Sequence, residues 1–225
     1  SKWVIERATR DYALRLDIEN LKNASAALSH SLKCVENCFS SDELRGFEGE
    51  AANQYFGVFD ELILQQKEDF AFTGRNKRPP LDNVNAMLSF TYTLLAHDAA
   101  AALEAVGLDP YIGFLHKERP GRISLALDLM EEFRSVYADR FVLSLINKRI
   151  VNRSGFIRKE NGAVIMDDST RKAILSAWQT KKQETLTHPF LEETLEWGLL
   201  PYAQAMLLAR YIRGDLDAYP PFLWK

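Results

Sequence analysis

The sequence lacks several features that would place it in a specialised class. It contains no run of about 18 apolar residues, so nothing in it is expected to span a bilayer. Its two cysteines, Cys34 and Cys38, are expected to be reduced thiols rather than a disulfide framework. No signal-peptide pattern opens the chain, which predicts a cytoplasmic protein. The net charge of −3 gives no general attraction to nucleic acid, so any DNA binding must come from local basic patches.

The common catalytic fingerprints are also missing. There is no GxxxxGK[ST] phosphate loop and no GxGxxG after a predicted strand, so neither nucleotide-binding motif applies. The sequence has no HExxH, no CxxC and no GxSxG, which removes support for a zinc protease, a thiol redox centre or a serine hydrolase.

Hydrophobic periodicity predicts a mainly α fold, a single helical catalytic domain over residues 1–225. Asn161-Gly162 lies between two short apolar runs, which predicts one small β-hairpin near residues 155–166. The segment before Cys38 is expected to form two helices that break near residues 23–25. Further helices are predicted at a Ser40 capping box and over 84–106, 124–134, 141–151, 171–185, from Leu191, and over 201–213. The sequence also offers Ser25 as the cap of the second helix before Cys38, Asp82 or Asn83 as the cap of the 84–106 helix, and Ser124 as the cap of the 124–134 helix.

The most chemically distinctive stretch is residues 113–133, GFLHKERPGRISLALDLMEEF. Asp128 and Glu131 are three residues apart on a predicted helix, so both carboxylates lie on one face. His116 precedes them across a Pro-Gly turn that can fold it back over the helix. Imidazole and carboxylates without cysteine favour a magnesium or manganese site over a structural zinc. The alternative is a solvated acidic face beside an unremarkable loop histidine.

A second acidic position is Glu48, which lies between Gly46 and Gly49 on a predicted helix. Glycine destabilises a helix by up to about 1 kcal/mol relative to alanine, so the pair suggests close approach to the backbone. An ordinary helix junction is the alternative explanation.

Three groups of basic residues are candidates for contacts with DNA phosphates, each with a solvated surface as its alternative. They are Arg75, Lys77 and Arg78 in a loop; Lys117, Arg119 and Arg122 beside His116; and Lys148, Arg149 and Arg153 further along.

Four ordered segments carry a resemblance to a known family. They are LRGFEGEAANQYF (44–56), NKRPPLDNVNAMLSFTYTLL (76–95), GLDPYIGFLHKERPGRISLALDLMEEFR (107–134) and LLPYAQAMLLARYIRGDLDAYPPFLWK (199–225). Together they resemble the C-terminal helical domain of the CRISPR-associated integrase of spacer acquisition, the first of the Cas proteins. The closing segment is most similar to the subtype I-C branch. The family's N-terminal β-rich domain would precede Ser1.

The resemblance implies a site and a reaction. Its metal ligands match Glu48, His116 and Glu131, with Asp128 the additional acid, which would bind the ion or orient His116. The implied cofactor is Mg²⁺ or Mn²⁺. The implied activity is that of a metal-dependent DNA endonuclease and integrase, which inserts new spacers into a CRISPR array during adaptation in a prokaryotic cytoplasm.

The implied partners are double-stranded DNA of the spacer and of the repeat and leader, a second copy of the full-length protein, and the second Cas protein, with the fourth as a further candidate. Two other classes remain open: an inactive DNA-binding scaffold fragment, and a helical metal-dependent hydrolase of a small phosphorylated substrate.

Overall fold

Helices dominate the computed structural model, which describes residues 1–14, 16–76 and 78–224. This confirms the predicted mainly α class. In the described part of the chain the α-helices are α1 Lys2–Asp11, α2 Ile18–Val35, α3 Ser41–Gly57, α4 Asn83–Ala105, α5 Ser124–Phe133, α6 Arg140–Asn147, α7 Asp168–Gln183 and α8 Leu200–Ile212. A π-helix, Arg134–Asp139, joins α5 to α6, and short 3₁₀ turns occupy Phe59–Leu62, Arg153–Gly155 and Trp197–Leu199. No helix among these residues is long and apolar enough to cross a membrane.

The chain divides into two compact units. The first holds Ser1–Ser89 and Asp139–Ala173, and the second holds Phe90–Ala138 and the residues from Ile174 onward. Each is described by itself below. That residues 1–225 form one catalytic domain stays a prediction.

In the first unit, α1 ends at Asp11 and α2 begins at Ile18, so the two helices are separated before the predicted break at 23–25. Asp17 caps α2 by accepting a hydrogen bond from the Asn20 backbone N–H at 3.2 Å. Ser25, the predicted cap, instead donates to Glu6 of α1 at 3.1 Å. Ser25 is a residue type that often caps helices, but here its hydroxyl makes a tertiary hydrogen bond instead.

The predicted Ser40 cap of α3 is confirmed, whereas the reciprocal bond to Glu43 comes from Phe39 and not from Ser40, as a capping box would have it. Ser40 Oγ accepts from the Glu43 N–H at 3.1 Å, and the Glu43 carboxylate accepts from the Phe39 N–H at 3.4 Å. The end of α3 is anchored by packed aromatic rings, with Tyr55 and Phe59 5.8 Å apart between centroids. The first turns of α3, including Glu48, remain exposed.

The predicted hairpin is also confirmed. Strands β1 Phe156–Arg158 and β2 Val164–Met166 pair antiparallel with Ile157 opposite Ile165, and Gly162 takes a φ of +81° in the turn.

A second hairpin, which the sequence did not predict, lies in the second unit. Strands β3 Thr185–Thr187 and β4 Thr194–Glu196 pair antiparallel, so the predicted helix from Leu191 is wrong. The buried His188 explains the difference: its Nδ1 accepts from the backbone N–H groups of Phe190 at 3.2 Å and Leu191 at 3.1 Å. These two donors are held in a turn by a side chain, which opposes a helix at this point.

Candidate functional site

The loop that carries His116 lies directly against the start of α5, and Gly113 makes this approach possible. A Cβ atom at Gly113 would lie 2.7 Å from Ser124 Cβ and 2.9 Å from Asp128 Oδ2. Any side chain would therefore push the loop away from the helix. Ser124 is the first residue of α5 rather than its predicted cap, and its hydroxyl donates to the Lys117 carbonyl at 3.4 Å.

Asp128 gathers the loop onto the helix with both oxygens of its carboxylate. Oδ2 accepts from the backbone N–H groups of Phe114 at 2.6 Å and Leu115 at 3.0 Å, and Oδ1 accepts from the His116 N–H at 3.0 Å. Oδ1 also lies 2.6 Å from the ring Nδ1 of His116. Burial alone would raise the pKa of Asp128, but the hydrogen bonds from His116, Leu115 and Phe114 outweigh it and lower that pKa. The carboxylate is therefore held ionised.

This network assigns the tautomer of His116. An ionised Asp128 can only accept, so Nδ1 of His116 carries the proton and donates it to Asp128. Nε2 then presents a lone pair, and no group in residues 1–14, 16–76 or 78–224 hydrogen-bonds to it. Metal-binding histidines are typically oriented in this way by a carboxylate on the opposite ring nitrogen. Four donors on Asp128 favour the orienting role among the alternatives that the sequence left open.

Glu131 lies one turn beyond Asp128 and forms an ion pair with Arg134. The Glu131 side chain is 29% exposed and that of Arg134 is 22% exposed, so the pair is only partly open to solvent. The Arg134 guanidinium also lies over the ring of Tyr92 on α4, 5.4 Å from its centroid. In the second unit, His116, Asp128 and Glu131 thus belong to one loop–helix element.

The neighbouring acid, Glu132, has a role that the sequence analysis missed. Its carboxylate accepts from the Tyr219 hydroxyl at 2.5 Å, the Phe222 N–H at 2.7 Å and the Gln204 amide at 2.8 Å. Burial raises the pKa of Glu132, against these hydrogen bonds, which lower it. The sequence signal was available but indirect: an apolar tail over residues 219–224, which has to pack on another surface to leave water, and a second glutamate on α5.

The tail docks through its aromatic residues as well. Phe222 is 4% exposed, and its ring lies 5.7 Å from that of Phe133 and 5.6 Å from that of His188. Gln204 completes the network by accepting from His188 Nε2 at 2.9 Å. The C-terminal segment is therefore a packed support for α5.

Glu48 lies in the first unit, on the exposed part of α3. A Cβ atom at Gly46 or Gly49 would meet nothing within 4 Å, so neither glycine is required by packing within the chain. Within the described residues, no three His, Cys, Asp or Glu side chains are grouped closely enough to hold a metal ion. That Glu48 joins His116 and Glu131 at one ion stays a prediction.

The predicted DNA-binding residues have different surroundings. Arg75 is tied into the fold, because its guanidinium donates to Asn85 Oδ1 at 2.6 Å and Ser89 Oγ at 3.1 Å. Lys77 lies outside the described residues. The exposed members are Arg78, Lys117, Arg119, Lys148, Arg149 and Arg153, while Arg122 is half-buried. Arg149 donates to Gln65 at 3.0 Å, and Arg153 lies 3.6 Å from Asp69. Their contacts with DNA stay predictions.

A sequence model of the family described as "CRISPR associated protein Cas1" matches residues 1–180. The chain belongs to the Cas1 family. The Cas1 match stops before β3, β4, α8 and the tail, so the segment that supports Glu132 lies beyond the matched residues.

Curated Cas1 relatives extend the similarity over the whole chain. "CRISPR-associated endonuclease Cas1 2" of Rhodospirillum rubrum is 54% identical, over 99% of this chain and 66% of that relative. The chain thus spans just under two thirds of the length of this relative.

Two solved structures share the fold. A chain titled "Casposase bound to integration product" aligns with a TM-score of 0.78 and 25% identity, over 99% of this chain and 68% of that one. A chain titled "Cas6-RT-Cas1--Cas2 complex" aligns with a TM-score of 0.82 and 21% identity, over 99% of this chain and 23% of that one.

Proposed function

We propose that this Cas1-family chain is the helical catalytic part of a metal-dependent DNA endonuclease and integrase that inserts new spacers into a CRISPR array. The observation that carries the proposal is the His116–Asp128 pair, which leaves His116 Nε2 available as a ligand on the same element as Glu131. Family membership and the word endonuclease in the name of the R. rubrum relative support a nuclease, and the resemblance of the four sequence segments supports DNA as its substrate. The casposase neighbour, whose title names an integration product, supports strand transfer as well as cleavage.

The donor set fits a hard divalent cation. An imidazole nitrogen from His116 and carboxylate oxygens from Glu131 and Glu48 are the ligand types that accept Mg²⁺ or Mn²⁺, and the single nitrogen makes Mn²⁺ at least as suitable. When bound, such an ion would polarise the scissile phosphate and stabilise charge on the attacking and leaving oxygens.

The residues of the chain contribute orientation and phosphate binding. Asp128 keeps the proton on His116 Nδ1 and fixes the plane of the ring, so that Nε2 remains a ligand rather than a donor. Gly113 lets the loop reach Asp128. Lys117 and Arg119 are exposed in the same loop as His116, where they would bind phosphates without regard to base sequence.

The remaining inferences concern the whole protein. We infer a cytoplasmic prokaryotic location, a subtype I-C-like system, an N-terminal β-rich domain before Ser1, and a homodimer of the full-length protein. We also infer that Cas2 is a partner and that Cas4 is a further candidate. The resemblance of the closing segment supports the subtype. The length of this chain relative to its R. rubrum relative is consistent with a further domain.

A DNA-binding scaffold is the second candidate. The exposed Lys117, Arg119 and Lys148 favour it, because binding of phosphates by basic side chains needs no metal. A hydrolase of a small phosphorylated substrate would use similar ligands but would neither bind nor cut DNA.

Nuclease and integration assays on linear and branched DNA in Mn²⁺ separate these functions. Glu131→Gln and His116→Asn should abolish both activities, whereas Glu118→Gln, an exposed acid in the His116 loop, should leave them unchanged. DNA binding without cutting by the unaltered protein would favour the scaffold. Wild-type rates in Glu131→Gln would refute the proposed site.

A further inference from the structure

The ion pair between Glu131 and Arg134 involves an acid that is proposed to bind the metal. Arg134 follows Glu131 by three residues, at the first position of the π-helix, and its Nη1 donates to Glu131 Oε1. A carboxylate that must coordinate a cation is thus already neutralised by a cation from the protein itself.

Tyr92 keeps the guanidinium from moving freely. Tyr92 belongs to α4, and the centroid of its ring lies 5.4 Å from Arg134 Cζ. A guanidinium stacked on an aromatic face loses less side-chain entropy when it binds a carboxylate, because the ring has already restricted it. The partial burial of both charged groups also reduces screening by solvent relative to an exposed helical pair.

We propose that Arg134 is a positioning residue that competes with the divalent cation for Glu131. The inference rests on the proposed metal site. In the metal-free protein, Arg134 balances the charge of Glu131 and holds its carboxylate in place. A divalent ion must then displace the guanidinium or share the Glu131 carboxylate with it. Arg134 therefore lowers the affinity of the site for the ion and makes occupancy of the site depend on the metal concentration.

Binding of Mn²⁺ alone tests this without reference to catalysis. Free Mn²⁺ is titrated by electron paramagnetic resonance against the purified chain without DNA. Removing the competing charge in Arg134→Gln should tighten Mn²⁺ binding by about three- to tenfold, the effect of a partly screened nearby charge. Arg134→Lys retains the charge and should remain within about twofold of the unaltered protein.

Two further variants separate a local effect from a general one. Arg122→Gln removes the same charge from a half-buried arginine whose guanidinium donates to the Lys117 carbonyl and not to an acid, so it should change the affinity by less than about twofold. Tyr92→Leu loosens the guanidinium and should tighten binding by less than Arg134→Gln does. Thermal unfolding of each variant confirms that it is folded.

The outcomes distinguish the inference from the function on which it rests. Unchanged or weaker Mn²⁺ binding in Arg134→Gln, with binding still lost in Glu131→Gln, would overturn the competition and leave the metal site intact. Equally tight Mn²⁺ binding in Arg122→Gln would show that the loss of any nearby positive charge has the same effect, which would also overturn the competition. Absence of Mn²⁺ binding by the unaltered chain would overturn both the inference and the metal site.

Discussion

Replacing Glu132 by alanine should destabilise the second unit strongly, although its neighbour Glu131 can be replaced at little cost. The Glu132 carboxylate accepts from Tyr219, Phe222 and Gln204 in a buried setting. After truncation, the Phe222 N–H and the Tyr219 O–H both lose their acceptor. The Gln204 amide still donates to the Tyr219 oxygen at 2.8 Å and to the Pro220 carbonyl at 3.2 Å.

The magnitude follows from these contacts. Each of the two donors left without an acceptor costs about 1–3 kcal/mol, and the Gln204 amide, which keeps two acceptors, costs less. Truncation also removes the cost of burying the Glu132 carboxylate, a burial that raises its pKa. This gain offsets part of the lost free energy of unfolding. We expect a net decrease in the free energy of unfolding of about 3–4 kcal/mol.

Urea denaturation followed by tryptophan fluorescence measures this quantity. Trp178, Trp197 and Trp224 all belong to the second unit, and the rings of Trp197 and Trp224 lie 5.0 Å apart, so release of the tail changes the signal. Glu131→Ala is the matched control: it should change the free energy of unfolding by less than about 1 kcal/mol, because its ion pair is partly exposed. A loss below about 1 kcal/mol in Glu132→Ala would refute the idea that this carboxylate anchors the tail.

Two further predictions concern the other polar groups of the second unit. Asp128→Asn should lower metal affinity or activity by about 10- to 100-fold, because an amide cannot accept from all four donors and the His116 tautomer is released; equal Mn²⁺ affinity in the two proteins would contradict this. Burial lowers the pKa of His188, against its hydrogen bond to Gln204, so the unfolded chain binds more protons in mildly acidic solution. The contribution of the buried, neutral His188 to the free energy of unfolding should therefore be fully present above the ordinary histidine pKa of about 6.5. It should decrease as the pH falls from there towards the lowered pKa. The pH dependence of urea unfolding should be shallower in His188→Gln, and an identical slope would exclude His188 as the cause.

Several local features were predictable because their causes lie within a few residues. The Ser40 cap, the cap at Asp82 and the hairpin at Asn161-Gly162 each involve hydrogen bonds between near neighbours. α4 ends close to its predicted boundary, where Gly107 takes a φ of +83°. The motifs around His116 and Glu131 were recognisable for the same reason, since each is continuous in sequence.

The features that were missed depend on groups far apart in the chain. Glu132 and Phe222 are separated by 90 positions, and nothing beside Glu132 indicates that its carboxylate will receive a backbone N–H from the tail. The predicted helix from Leu191 does not form, because the buried ring of His188 lies between Gln204 and the backbone of the β3–β4 turn. Likewise, Ser25 does not cap a helix, because its hydroxyl donates to Glu6, which lies 19 positions earlier in the chain.

The sequence alone thus determined the helical class, the caps at Ser40 and Asp82 and the identity of the candidate ligands, because short-range hydrogen bonding and residue chemistry act locally. Tertiary structure alone decided how those residues are used. It made Asp128 the acceptor that orients His116, paired Glu131 with Arg134 and turned Glu132 into an anchor for the tail. Adjacent, chemically identical glutamates take opposite roles because folding buries one carboxylate among donors and leaves the other partly open to solvent.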